Sequence, residues 1–140
     1  MAMVIHLDIV SAEREIFSGA AEMVCAPADM GEVGIMPRHA PLITRLKPGE
    51  VRVYLPNGGE ESFYVSGGIL EVQPHVITVL SDTASRAHDI DEASALAAKE
   101  QAEQAMENHT SEMEYAAAEA SLAEASAQLT LLKRVKKAKH

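Results

Sequence analysis

Residues 31–44 read GEVGIMPRHAPLIT, which places His39 among two glycines and two prolines. A histidine in such a chain-bending run invites acid-base chemistry, because imidazole exchanges a proton near neutral pH and loops carry much of function. A general base, however, needs a partner that holds its tautomer and a nucleophile to activate. No Asp, Ser or Cys stands beside His39 in the chain. The run therefore reads as a shaped loop holding a hydrogen-bonded or interface histidine.

The other reactive groups are as sparse. The six histidines are scattered without metal-ligand spacing, so neither a metal nor a cofactor is expected. Phosphate-cradling glycine loops, a nucleophile elbow and paired cysteines are missing. The single cysteine, Cys25, lies among Met23, Val24 and Ala26 and reads as a buried strand position that suits a reducing compartment. A net charge of -9 excludes a general nucleic-acid binder. The charge is uneven: residues 85–132 carry 2 basic and 10 acidic side chains, and residues 133–140 carry 5 and 0. That is more cation than a helix dipole uses in its last turn, so Lys133, Arg134, Lys136 and Lys137 point to an acidic partner or an anionic surface.

The elements that must position these groups divide in two. All 8 glycines and all 6 prolines precede residue 75. In that part apolar residues alternate, as at Ile5, Leu7 and Ile9 or Val51, Val53 and Leu55, and short strands separated by turn residues predict a small sandwich or barrel. Pro56-Asn57-Gly58-Gly59 predicts a tight hairpin with positive φ at Asn-Gly. The glycines in YVSGGILEVQP predict a bend or bulge where backbones pack closely.

Beyond about residue 84 the composition turns to Ala, Glu, Gln, Leu and Lys, which predicts two helices joined at Asn108-His109-Thr110. Asp89 with Glu92, and Ser111 with Glu114, have capping-box spacing. The facing stripes are expected at Ala95, Ala98, Ala102, Ala105 and Met106, and at Met113, Ala116, Ala120, Ala123, Ala127 and Leu131, flanked by Leu122, Leu129 and Leu132. Alanine buries little surface, so the hairpin should be loosely held. No segment approaches the apolar length of a membrane span.

GEVGIMPRHAPLIT, then YVSGGILEVQPHVITVLSDTA, then HDIDEASALAAKEQAEQA, following HLDIVSAEREIFSG, resemble the epsilon subunits of bacterial F-type ATP synthases over essentially the whole chain. The resemblance implies a ten-stranded β-sandwich over 1–86 and an antiparallel helical hairpin over 87–140. It also implies a noncatalytic rotor subunit on the cytoplasmic face of the bacterial inner membrane, with membrane association only through the complex.

By that resemblance the sandwich binds the gamma subunit and the c-ring, with Glu32, Arg38 and His39 as contact candidates. The hairpin, extended toward the alpha and beta subunits, inhibits ATP hydrolysis, with the four tail cations meeting acidic segments of beta. A free-standing ATP sensor and a small enzyme using His39 are the alternatives.

Two positions depart from the family pattern. Arg38 stands where glycine is frequent, so either the backbone needs no positive φ there or this chain adds a surface charge. In the ATP motif of some members, Ile90, Asp91, Ser94 and Ala95 are present here with Ser94 in place of arginine, which predicts weak or absent ATP sensing.

Overall fold

The computed structural model describes residues 3–138. Its contacts divide into two units, one ending at Ala87 and the other beginning at His88.

The first unit holds ten strands: β1 (Ile5–Ser11), β2 (Glu15–Ala21), β3 (Met23–Ala28), β4 (Gly31–Ile35), β5 (Leu42–Leu46), β6 (Gly49–Tyr54), β7 (Glu60–Val65), β8 (Gly68–Val72), β9 (Val76–Ser81) and β10 (Ala84–Arg86). They run in the order β10-β7-β6-β3-β5-β8-β9-β1-β2, with β4 also on β3. All pairs are antiparallel except β1 with β9. Strands β3 and β5 share only Ala28↔Leu46, so the path is two five-stranded sheets hinged at one residue pair. Both sheets turn alternate apolar residues inward, which makes one core between them. Ile5, Leu7, Ile9, Leu70, Val72, Ile77 and Val79 from one sheet meet Val24, Ala26, Ile35, Val51, Val53, Phe63 and Val65 from the other.

The chain passes from β7 in one sheet to β8 in the other through Ser66, Gly67 and Gly68. Gly67 and Gly68 have φ of 114° and 131°, which side chains rarely tolerate. A Cβ on Gly68 would lie 1.9 Å from the Leu80 carbonyl oxygen. The expected close backbone approach is therefore present, at the corner between the sheets.

At the other end of the path Arg86 of β10 reaches β2. Its Nη2 donates to the Ile16 carbonyl (3.1 Å) and its Nη1 to Glu61 (3.0 Å). The guanidinium lies 5.2 Å from the Phe63 ring centroid, and Phe63 meets Phe17 edge-on at 5.5 Å. One side chain thus ties together the two terminal strands of the path.

The β6–β7 turn differs from expectation. Gly58 has φ of 90°, but Asn57 does not take a positive φ. Pro56 presets the first turn position, Gly58 N–H donates to the Leu55 carbonyl (3.0 Å), and Asn57 Oδ1 accepts from Gly59 N–H (2.8 Å). The loop is longer than a two-residue turn, so only one left-handed residue is needed.

The second unit holds α1 (Glu92–Glu107) and α2 (Glu112–Ala138). Ala95 and Ala102 are buried and Lys99 and Met106 half-buried; across from them Ala118 and Ala125 are buried and Leu122, Leu129 and Leu132 half-buried. These positions follow a seven-residue repeat, the seam of two supercoiled helices. The expected stripe is therefore corrected: Ala98, Ala105, Met113, Ala116, Ala120 and Ala123 are exposed, whereas Leu131 is buried and Ala127 half-buried. Alanine occupies every face of these helices, so its spacing alone does not mark the packed one.

Gly68→Ala should destabilise the first unit by at least about 3 kcal/mol, because strain adds to a backbone clash. Gly58→Ala, whose Cβ would meet open space, should cost only about 1 kcal/mol from its φ. Urea unfolding followed by tyrosine fluorescence compares them, and equal costs would refute the corner's role.

Candidate functional site

The loop from β4 to β5 is built on a turn, Met36-Pro37-Arg38-His39, closed by the His39 N–H on the Met36 carbonyl (3.1 Å). Pro37 presets the first central position, and Arg38 at the second has φ of 69°. Arg38 is the one non-glycine residue with positive φ among the described residues. The backbone adopts the left-handed conformation that favours glycine, which overturns the reading that no positive φ is needed here. His39 Nδ1 lies 2.7 Å from the Ala40 carbonyl, and since a carbonyl only accepts, the proton sits on Nδ1. Its tautomer is held by backbone, not by a carboxylate, and no hydroxyl or thiol is bonded to the ring among the described residues.

Glu32, on β4, is exposed but ion-paired with Arg52 of β6. Burial works against the Arg52 charge, while Cys25 and the Glu32 carboxylate favour it and hold the guanidinium above its ordinary pKa. Glu50 lies 4.0 Å away on the same guanidinium. Glu32 and the Arg38–His39 turn share one stretch of chain, but no hydrogen bond or ion pair joins them among the described residues.

The outer face of the β5-β8-β9-β1 sheet carries a row that alternation alone does not reveal. Arg45, Ile69, Leu80 and Val10 are successive cross-strand neighbours. Ile69 and Leu80 are 45% and 47% exposed, and Ile43, one pleat along β5, is 72% exposed. Only register sets Ile69 and Leu80 side by side.

Register also assembles a constellation invisible in the chain order. His6 Nε2 lies 2.9 Å from Asp8 Oδ1 and 3.2 Å from Ser18 Oγ, and Ser18 Oγ donates to Asp8 Oδ1 (2.7 Å). It does not have the geometry of a catalytic triad. Carboxylate and hydroxyl share one ring nitrogen, and the serine proton goes to the carboxylate, so nothing activates the oxygen. No cluster of three or more His, Cys, Asp or Glu side chains suited to a metal occurs among the described residues.

In the helical unit the cap of α1 is Asp91, not Asp89. Asp91 Oδ1 accepts from the Ala93 and Ser94 N–H groups (3.0 and 3.4 Å), and Oδ2 accepts from the Ser94 hydroxyl (2.9 Å). Asp89 ends a short 3-10 turn, Ala87–Asp89, beside His88. The Ser94 hydroxyl, then the Ser94 and Ala93 N–H groups, hold the Asp91 carboxylate below the usual range. The residues matching the degenerate nucleotide motif are thus spent locally: Asp91 caps, Ser94 buttresses the cap, Ala95 is buried in the seam and Ile90 is half-buried.

The turn between the helices forms the expected box with one change. Ser111 Oγ accepts from the Glu114 N–H (3.1 Å), while Glu114 reaches the Thr110 N–H (2.9 Å) and hydroxyl (2.7 Å). Those two donors lower the Glu114 pKa. His109 Nδ1 donates to the Met106 carbonyl (2.6 Å), and its ring meets Tyr115 edge-on at 4.9 Å.

At the far end Lys136 pairs with Glu92, so the last turns of α2 are fastened to the first turn of α1. Lys133 and Lys137 are exposed and Arg134 is half-buried. Lys136 and Glu92 are 44 residues apart, a pairing that only the antiparallel hairpin creates. No helix among the described residues is long and apolar enough to cross a membrane.

An exposed apolar row, a loop that displays an arginine and a helical pair with a basic end stand out on a β-sandwich unit followed by a helical hairpin. Residues 4–87 match the family described as ATP synthase, Delta/Epsilon chain, beta-sandwich domain, and residues 88–133 its long alpha-helix domain. The chain belongs to the ATP synthase epsilon chain family, whose members are noncatalytic stalk subunits.

Among its relatives, the ATP synthase epsilon chain of Nitrosococcus oceani is 67% identical over 137 residues, covering 98% of each chain. That of Nitrosomonas eutropha is 56% identical over 140 residues and the full length of both. A chain of the Euglena gracilis mitochondrial ATP synthase has the same fold, with a TM-score of 0.75 at 20% identity, covering 98% of this chain and 82% of that one.

A carboxylate whose pKa is depressed in the folded state stabilises that state above its unfolded pKa, and the contribution is lost as pH falls through the folded value. Asp91 and Glu114 should therefore weaken the helical unit in acid, below the ordinary carboxylate range of about pH 4. Asp91→Asn, which keeps a cap but cannot titrate, should reduce the acid-dependent loss of helicity in far-UV circular dichroism. Asp91→Ala should lose helicity already at neutral pH. An acid profile unchanged by Asp91→Asn would remove Asp91 from this account.

Proposed function

We propose that the chain is a rotor subunit of a bacterial F-type ATP synthase, peripheral to the cytoplasmic face of the inner membrane, and that it couples and regulates rather than catalyses. The sandwich docks on the gamma subunit and the c-ring, and the hairpin inhibits ATP hydrolysis by extending toward the alpha and beta subunits. The observation that carries the reading is the pairing of family membership across both units with a hairpin whose basic end is fastened by an exposed ion pair, Lys136 with Glu92.

Both members of that pair are exposed. Exposed pairs contribute about 0.2 to 1 kcal/mol each, so it holds the hairpin lightly. Competing carboxylates on a partner can take over the same lysine, together with Lys133, Arg134 and Lys137, and shift a two-state hairpin by their differential affinity. Removing residues 133–140 should raise ATP hydrolysis by the assembled complex severalfold while leaving assembly intact. Unchanged hydrolysis would refute the inhibitory role and spare the rotor role.

ATP sensing finds no support in the α1 start. A triphosphate needs several cations, yet both Asp91 oxygens are committed to the cap, Ser94 replaces the arginine, and Arg86 is committed to Ile16 and Glu61. Calorimetric titration of the full chain should show no micromolar ATP binding, and such binding dependent on the hairpin would overturn this.

A further inference from the structure

We propose that Arg38 is a specificity-determining contact of this chain, its guanidinium pairing with a carboxylate on a polypeptide loop of the rotor partner that meets the β4–β5 loop. The inference rests on the rotor reading and names the residue and chemistry of one of its contacts.

The Arg38 backbone takes a conformation that a side chain makes unfavourable. Arg38 holds φ of 69° at the second central position of a turn fixed by Pro37 and by the His39 N–H on Met36. Glycine would sit there without steric opposition, so arginine lowers the stability of the isolated chain. Nothing among the described residues offsets this. Arg52 pairs with Glu32 and Arg86 with Glu61, but Arg38 is exposed and makes no hydrogen bond or ion pair among the described residues. The side chains of Arg14 and Arg45 also make no hydrogen bond or ion pair among the described residues, yet they stand on ordinary backbone. An arginine kept on unfavourable backbone with no internal partner points to an external one.

The chemistry of that partner follows from the donors and acceptors of the turn. The guanidinium offers a planar fork of N–H donors that fits a carboxylate in bidentate fashion. Next to it, His39 donates Nδ1–H to Ala40, which leaves Nε2 of the neutral ring as an acceptor. Met36, at the start of the turn, is 60% exposed and apolar. A polypeptide loop that carries an acidic side chain and free N–H groups complements all three. A phosphate group offers acceptors alone and answers only the arginine.

The test uses full-length chain, fluorescently labelled, titrated onto epsilon-depleted ATP synthase in phosphatidylcholine vesicles. Arg38→Gln should weaken binding about tenfold, the equivalent of one charge-assisted pair at about 1.4 kcal/mol, and the difference should shrink as salt is raised. Arg38→Lys should restore part of the affinity. Arg38→Gly is the diagnostic variant: it should raise the Tm of the isolated chain and yet bind as weakly as Arg38→Gln.

If wild-type chain binds and Arg38→Gln and Arg38→Gly bind equally well, the proposal fails and the rotor reading stands. If wild-type chain does not bind the complex, the rotor reading fails and takes the proposal with it. If wild-type chain binds protein-free phosphatidylglycerol vesicles through Arg38 while Arg38→Gln is unimpaired on the complex, a lipid headgroup is the occupant and the carboxylate assignment is overturned.

Discussion

The sandwich depends on a corner with no room for a side chain. Gly67 and Gly68 carry the chain from one sheet to the other, and the Leu80 carbonyl stands where a Cβ of Gly68 would be. The sheets themselves share a single residue pair between β3 and β5, so the passages of the chain between them, this corner included, join the two layers. Once they face, alternate residues of nine strands and Ala84 of β10 close one core. Arg86 then joins the ends of the strand path by hydrogen bonds and a cation–π contact, which a core of small aliphatic side chains could not supply. Burial drives the sheets together without direction, and the glycine corner and Arg86 give the direction.

The polar side chains of the helical unit do a different kind of work. Asp91, Ser111 and Glu114 accept from N–H groups at the starts of the two helices, as helices require wherever their ends lack intrahelical partners, and the Ser94 hydroxyl donates to Asp91. The short side chains of the seam leave modest burial to hold the pair, so end contacts carry a larger share of what keeps it closed. One end is fastened by His109, Thr110 and Glu114, the other by Lys136 and Glu92. The second fastening is an exposed ion pair, and such pairs weaken in salt and yield to competitors.

Much of this was legible in the chain. The strand-then-helix order followed from where glycine and proline stop, and the alternation at Ile5, Leu7 and Ile9 named buried residues correctly. The motifs GEVGIMPRHAPLIT and HDIDEASALAAKEQAEQA carried the family. Local rules also located the second capping box, because a box needs only four consecutive residues. They misplaced the first. Asp89 and Asp91 both precede the helix with capping chemistry, and the 3-10 turn that claims Asp89 is not a matter of spacing. The helix stripe was misjudged for a related reason, since a pattern of alanine on all sides contains no face.

By itself, then, the sequence determined what local periodicity and backbone chemistry can specify: short alternating strands in a small sandwich or barrel, two helices after them, and a close backbone approach at Gly67-Gly68. Tertiary structure alone decided what distant residues do to one another. It made His6, Asp8 and Ser18 share a proton network without catalysis, set Ile69 beside Leu80 on an exposed face, and gave Glu32 to Arg52 and Lys136 to Glu92. It also showed Arg38 in a backbone conformation suited to glycine. Propensity and hydrophobic period act over a few residues, whereas register and ion pairing act through space, so these placements existed only once the sheets had closed and the helices had paired.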